Sequence, residues 1–183
     1  MTRTQFSLSL AAIALFGASC SSMWNAGTKV PAFEHGMYRL GGAAGLSLAD
    51  NQFNGVDTNT LAANADLGRF YGTNLELGVR LGLISTDVGT VESDTTNLAV
   101  FGRWYTASEA ASRPWIELGG GTSNVKTATI DVGGSLFFLA VGLTHFLNES
   151  VAAEVAARQS LGSYDGGVES DTLDIGIGFS LFW

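Results

Sequence analysis

The last twelve residues of the chain, Thr172 to Trp183, alternate between two kinds of side chain. Large apolar residues occupy every second position, and small or polar residues lie between them, with Phe182 as the exception. Because successive side chains of a β-strand point to opposite faces, this pattern predicts a strand with one apolar and one polar face. At the edge of an open sheet, a strand this apolar would expose unpaired backbone groups that could pair with another chain. The pattern therefore favours a closed barrel, in which the last strand pairs with the first.

The same two-face pattern recurs seven times upstream. It predicts eight strands, which are about nine to thirteen residues long, the length that crosses an outer membrane when tilted. The predicted strands are Met37–Ala49, Thr60–Phe70, Leu75–Ile84, Thr95–Tyr105, Trp115–Thr122, Ser135–Leu147, Val151–Leu161 and Thr172–Trp183. An even number of such strands predicts an all-β fold, an eight-stranded antiparallel up-and-down transmembrane β-barrel over residues 36–183.

The predicted connections between these strands alternate between long and short. The long polar ones are Asp50–Asn59, Ser85–Asp94, Ser123–Gly134 and Gly162–Asp171, and the short ones lie near 71–74, 107–113 and 148–150. Bacterial barrels have long outer loops and short periplasmic turns, so the N-terminus is expected to be periplasmic. Aromatic residues at the short-turn end are expected to form an interfacial girdle: Tyr38, Phe70, Tyr71, Trp104, Tyr105, Trp115, Phe146, Phe182 and Trp183.

Composition excludes several classes of protein. The chain contains 24 Gly and only 2 Pro, which suits a curved sheet. After the N-terminal segment, no apolar stretch reaches the roughly 18 residues of a transmembrane helix. The net charge of −8 argues against nucleic acid as a partner, and a single cysteine allows no internal disulfide.

The first 35 residues are expected to direct export and then to tether the barrel. Residues 1–19 have the charge and the apolar core of a signal peptide, and residues 20–35 are interpreted as a periplasmic tether. Cys20 follows Ala18 and Ser19, which fits a lipoprotein box, whereas Gly17 occupies a position where leucine is usual. Lipidation of Cys20 and ordinary signal-peptidase cleavage nearby are both open.

The chain resembles the small eight-stranded outer-membrane barrels of the OmpA/OmpX type. The resemblance rests on segments such as Asn74 to Arg80 and on a C-terminal insertion signal with Gly176, Phe179, Leu181 and Trp183. It implies residence in the bacterial outer membrane, contact with its lipid, and recognition of the C-terminal strand by the barrel-assembly machinery. It implies no particular activity, because this architecture hosts many functions.

The small or polar face is expected to line the barrel interior. Its opposite charges should pair in a narrow lumen, since an unpaired buried charge is costly. The predicted network contains Arg39, Asp66, Glu76, Arg80, Arg103, Glu117, Glu154, Arg158 and Asp174. Simple hairpin registers place Asn64 opposite Arg80, Gly68 opposite Glu76, Asp66 diagonal to Arg80, and Arg158 diagonal to Asp174. The alternative is a soluble lipocalin-like barrel, with the apolar face inward around a ligand.

Function is expected to be structural or interactive at the cell surface, without catalysis, cofactor or metal. His35 lies in or next to the predicted tether, and His145 lies at the rim opposite to that of a lipid A-modifying enzyme's histidine, with no His-x-Ser motif around it. Acidic residues dominate the predicted outer loops, where they form either a simple solvated rim or an acidic crown that binds divalent cations or a cationic extracellular partner. The acids are Asp50, Asp57, Asp87, Glu92, Asp94, Asp131, Asp165, Glu169 and Asp171. The alternatives are a narrow pore or ligand-binding barrel, and a lipid A-modifying enzyme.

Overall fold

The computed structural model describes residues 30–47, 58–88, 91–106, 110–129 and 131–183. Eight antiparallel strands form one closed barrel, in which β1 pairs with both β2 and β8. The strands are β1 Tyr38–Ser47, β2 Thr58–Phe70, β3 Leu75–Val88, β4 Val91–Tyr105, β5 Ser112–Thr127, β6 Asp131–Phe146, β7 Val151–Tyr164 and β8 Val168–Phe182. The predicted all-β, eight-stranded antiparallel fold is confirmed. Within these ranges, no helix is long and apolar enough to span a membrane.

The two ends of the barrel differ, and each is named here by its connections. The turn end contains the β2–β3, β4–β5 and β6–β7 connections together with Trp183. The loop end contains the other four connections. The prediction of long loops was wrong for three of them, since only residues 89–90, 128–130 and 165–167 separate the strands there. The segments predicted as loops are mostly strand, because their Thr, Ser and Val residues favour extended backbone even where they are polar.

The last hairpin shows how so short a connection is possible. Gly166 and Gly167 have φ values of 87° and 79°, a left-handed conformation that glycine adopts without a steric penalty. The resulting turn joins β7 to β8 directly after Tyr164. A tilted strand needs roughly ten residues to cross an apolar band of about 25 Å, so the strands of 13 to 16 residues project beyond it.

The outer surface is apolar over most of its height and polar toward the loop end. On β3, the side chains of Leu77, Val79, Leu81 and Leu83 point outward and are 44–52% exposed. The same face continues with Ser85 and the exposed Asp87. The outward face of this one regular strand is therefore apolar along most of its length and polar toward the loop end. This change is expected for the outer surface of a membrane barrel.

The prediction that nine aromatic residues form a girdle was wrong for five of them. Phe70, Tyr105, Trp115, Phe146 and Phe182 are at most 3% exposed and fill the lumen at the turn end. Tyr38, Tyr71, Trp104 and Trp183 do face outward. Three of the buried residues are direct sequence neighbours of exposed ones, as in Trp104-Tyr105, and consecutive strand residues must point to opposite faces.

The segment predicted to be a tether enters the barrel. Its described part begins at Val30, and Phe33 is only 1% exposed. The Phe33 ring lies 4.2 Å from that of Phe70 and 4.7 Å from that of Tyr105, measured between centroids. The Gly36 amide donates to the Phe70 carbonyl, which leads the chain from this insertion into β1. The lumen at the turn end is therefore closed partly by residues that precede the first strand.

Candidate functional site in the barrel interior

A layer of paired charges crosses the middle of the lumen. Strand alternation points these side chains inward, and the aromatic cluster lies beside them on the turn-end side. The core of the layer contains six residues that are at most 4% exposed and Glu154, whose side chain is 12% exposed; the six are Arg39, Asp66, Glu76, Arg80, Arg103 and Glu117. Seven of the nine residues of the predicted network thus come together, from six different strands.

Arg103 on β4 makes the largest number of contacts in this layer. Its Nη2 lies 2.8 Å from Glu117 Oε2, and its Nη1 lies 3.3 Å from Glu154 Oε1. Its guanidinium stacks on the Trp115 ring at 3.9 Å from the centroid. The Trp115 indole N–H donates to Thr144, whose hydroxyl in turn donates to Glu154. Arg103 therefore connects the charged layer to the aromatic cluster beneath it.

Arg80 and Arg39 extend the layer to either side. Arg80 Nε lies 2.5 Å from Asp66 Oδ1, and Arg80 Nη1 lies 2.6 Å from Glu117 Oε1. Arg39 Nε donates to Glu76 Oε1 at 2.8 Å, and its Nη1 donates to the Ser180 hydroxyl at 3.0 Å. These are charge-assisted bonds between buried side chains, where leaving one partner unpaired costs several kcal/mol, roughly 3–5. The layer therefore holds opposite walls of the barrel together.

The hairpin registers differ from those predicted. In β2–β3 the pairs are Asn64–Gly82, Asp66–Arg80 and Gly68–Gly78, so each prediction was wrong by two residues. The cause is the turn: the Tyr71 amide donates to the Leu75 carbonyl, which moves the centre of the connection by one residue. The shift keeps the same side chains inward and places Asp66 directly opposite Arg80, where a short bidentate contact can form.

Arg158 and Asp174 lie on the loop-end side of the layer and are joined to it only weakly. They are direct cross-strand partners, and the predicted diagonal placement was wrong. Arg158 is 18% exposed and approaches Glu117 Oε1 at 3.9 Å. Among the residues that the structure describes, Asp174 accepts no hydrogen bond and has no cation within 4.0 Å. The expected pairing of Arg158 with Asp174 is therefore not formed.

Sequence reasoning missed Arg113, which had been assigned to a connection. It lies on β5, is fully buried, and stacks on Phe33 and Phe146 at 3.9 and 4.4 Å from the ring centroids. Its side chain also donates to the Pro31 and Ala110 carbonyls. The parity of Trp115 and Glu117, both inward, would have placed Arg113 inward as well. Phe33 itself carried no signal, because it lies outside any alternating segment.

The other predicted residues have the following positions. His145 pairs with Ser112 on the outer face at the turn end, where Ser112 Oγ lies 2.8 Å from Nδ1, and His35 packs against Tyr71. Phe179, Leu181 and Trp183 are exposed on the outer face of β8 and at its end, and Gly176 faces the lumen. Residues 1–19 and Cys20, together with Asp50 and Asp57, lie outside the described residues.

The acidic residues predicted for the loops are arranged around the loop end. The described ones are all exposed, and most of them lie on strands: Asp87, Glu92, Asp94, Asp131, Asp165, Glu169 and Asp171. Asp87 is directly opposite Glu92, whereas Asp94 is opposite Lys126. In the described part of the chain, no group of three or more His, Cys, Asp or Glu side chains is placed to hold a metal ion.

Comparison with known proteins identifies the architecture. The N-terminal β-barrel domain of Pseudomonas aeruginosa OprF matches 82% of this chain and 98% of its own at 13% identity, with a TM-score of 0.53. The outer-membrane protein OprG of the same organism matches 84% of this chain and 99% of its own at 10% identity, with a TM-score of 0.55. Neisserial surface protein A matches 80% of this chain and 94% of its own at 6% identity, with a TM-score of 0.58.

The fold is that of the small eight-stranded outer-membrane barrels. At these identities the likeness concerns the fold alone. No protein-family model matches the sequence, and no curated protein is significantly similar to it. The outer-membrane barrel fold explains the apolar belt, and the particular function has to be argued from this chain's own interior and rim.

Proposed function

We propose that this protein is an integral barrel of the bacterial outer membrane with a closed, non-conducting lumen and a structural or cell-surface role, without enzymatic activity. The observation that carries the proposal is that described side chains fill the lumen at two levels. The charged layer around Arg103 fills the middle, and the aromatic cluster around Phe33 fills the turn end. An eight-stranded barrel has an interior just wide enough for side chains to fill, so two such layers leave no route for ions.

In this proposal, the turn end faces the periplasm. Connection length does not separate the two ends, because three loop-end connections have only two or three residues. The strands that project beyond the apolar belt lie at the loop end, and bacterial barrels carry their longer segments on the extracellular side. The outward aromatic residues Tyr38, Trp104 and Trp183 lie near this end, at the level of one membrane interface. The exposed face of β8, with Phe179, Leu181 and Trp183, is available for the barrel-assembly machinery before it is covered by lipid.

The extracellular role is assigned to the loop end. Hairpins that project beyond the apolar belt carry acidic side chains on their outer faces, including Asp87, Glu92 and Asp171. A ring of one charge sign produces a field that attracts cations or a cationic partner and repels anionic surfaces. Contact with such a partner is therefore proposed for the rim.

Planar-bilayer recording tests the closed lumen. The refolded wild-type barrel, shown to be folded by heat-modifiable gel mobility, is expected to give no stable ohmic steps. A barrel with Phe33→Ala and Arg103→Ala together loses contacts in both layers and serves as the comparison, provided that it keeps the mobility of the folded form. Stable steps from the wild-type barrel would show that the lumen conducts and that a pore function is correct.

A further inference from the structure

The outer surface at the turn end carries an arginine among apolar and aromatic side chains. Of the six arginines in the described ranges, five point into the lumen, and Arg69 on β2 points outward and is exposed. Strand alternation places it on the same face as Leu67, and its direct neighbours across the sheet are Tyr38 on β1 and Leu77 on β3. These three neighbours are 39–45% exposed. Arg69 therefore lies at the edge of the apolar belt, where the hydrocarbon of a membrane ends and the lipid head groups begin.

Two tyrosines flank the guanidinium group of Arg69. Its Cζ lies 5.6 Å from the ring centroid of Tyr38 and 5.8 Å from that of Tyr71, and both distances are within the range of a cation–π contact. Gly36, with a φ of 93°, bends the chain beside it, and a Cβ atom built at Gly36 would lie 3.9 Å from Arg69 Nη2. The Tyr71 ring is contacted in turn by His35, at 5.9 Å between centroids. The charged end of Arg69 is therefore positioned between two rings at the surface.

Arg69 has no counter-ion in the part of the chain that the structure describes. No carboxylate of those residues lies within 4.0 Å of it, and its guanidinium group donates no hydrogen bond to them. The five inward arginines, in contrast, all approach an acid or donate to a carbonyl oxygen. The hydroxyl groups of Tyr38 and Tyr71 also form no hydrogen bond with described residues. Three donors at one place, one of them charged and forked, match the several oxygen atoms of a phosphate group.

We infer that Arg69, Tyr38 and Tyr71 bind the phosphate group of an anionic phospholipid in the leaflet at the turn end. A lipid is the source because Leu67 and Leu77 beside the site belong to the belt that acyl chains cover, so a head group arrives there with its tails. A lipid with one net negative charge neutralises Arg69, whereas a zwitterionic lipid brings a second cation to an unpaired one. The inference rests on the proposed membrane location and goes beyond the closed lumen, because it concerns the outer surface.

The test is native mass spectrometry of the refolded full-length chain in a non-ionic detergent, with phosphatidylglycerol as the anionic probe. The barrel is expected to retain this lipid with a Kd at least about fivefold lower than that of phosphatidylcholine with the same acyl chains. Equal affinity for the two lipids would overturn the inference. Inorganic phosphate lacks the acyl chains and should displace the lipid only at roughly tenfold excess or more. Displacement at equal concentration would show a site for free anions and would overturn the assignment to lipid.

Two matched variants locate the site. Arg69→Gln should weaken the binding of phosphatidylglycerol about five- to tenfold and leave that of phosphatidylcholine unchanged. Lys126→Gln removes the same charge from an exposed position on β5 toward the loop end, and it should leave both affinities unchanged. Since Arg69 has no ion pair with a described residue to lose, its variant should keep the gel mobility of the folded barrel.

The comparison of the two variants also separates this site from a general effect of charge. An equal loss of phosphatidylglycerol binding in both variants would show only the effect of net charge and would overturn the site. Unchanged binding in Arg69→Gln would overturn it as well. Either result, in a barrel that remains folded and non-conducting, would leave the proposed function standing.

Discussion

Each half of the lumen contains an inward arginine near carboxylates, and the two arginines differ in how completely they are paired. In the turn-end half, Arg103 pairs with two acids and stacks on Trp115. In the loop-end half, Arg158 approaches one acid at 3.9 Å and remains 18% exposed. Arg103 is thus held by several buried partners, whereas Arg158 is held by one long contact. The number of partners around an inward arginine decides how much that arginine contributes to stability.

The largest difference is expected between the two arginines. Arg103→Ala strands the buried carboxylates of Glu117 and Glu154 and should lower the free energy of unfolding by about 3–5 kcal/mol. Arg158→Ala, which removes one long and partly solvated contact, should lower it by about 1 kcal/mol or less. Urea titrations of both variants in lipid vesicles measure the difference. Equal losses would mean that the two halves are held together alike.

The second largest loss of stability is expected in the aromatic cluster at the turn end. Phe33→Ala removes a fully buried ring that contacts four other rings and should cost about 3 kcal/mol. Tyr71→Ala is the control, because Tyr71 is 46% exposed in the turn between β2 and β3 and lies outside the buried cluster, so its loss should cost about 1 kcal/mol or less. If the two changes cost the same in vesicle refolding, the segment before β1 does not contribute to the core.

On the outer face of β3, the cost of a new arginine should also differ between the apolar belt and the loop end. An arginine at Val79 lies within the apolar belt and should cost about 2–4 kcal/mol if it lies near the bilayer midplane. Ser85→Arg, on the same face of β3 toward the loop end, should cost about 0–1 kcal/mol. Refolding into vesicles measures both, and a Val79→Arg barrel as stable as wild type would refute the assignment of this face to lipid.

The smallest changes in stability are expected at two glycines, where replacement by alanine should have opposite effects. A Cβ at Gly142 would lie 2.3 Å from Trp115 Cζ2 and 2.6 Å from the Val155 carbonyl, so Gly142→Ala should cost about 1–3 kcal/mol through overpacking. Gly176→Ala meets only ordinary contacts and should be neutral or stabilise by up to about 1 kcal/mol, because alanine restricts the unfolded chain. Thermal unfolding of the two variants side by side decides the sign, and a loss at both positions would show that the wall beside Gly176 is packed as tightly as the wall beside Gly142.

The sequence predicted the strand number, the antiparallel closure and the inward face, because a period of two is visible without long-range information. It predicted less well where the outcome depends on tertiary context. The register around Tyr71 depends on one turn hydrogen bond, and the polar hairpins beyond Ser85 have the composition of loops while forming strand. The position of Phe33 depends on a cavity that exists only once eight strands have closed, so no local pattern could indicate it.

The insertion of Phe33 has a consequence for how the molecule is completed. Its ring packs against Phe70 on β2 and Phe182 on β8, so the segment before β1 and the eighth strand meet in one cluster. A chain that lacks β8 keeps the segment around Val30 but leaves this ring without one of its walls. Protection of that segment from protease therefore reports whether β8 has formed and closed the barrel against β1.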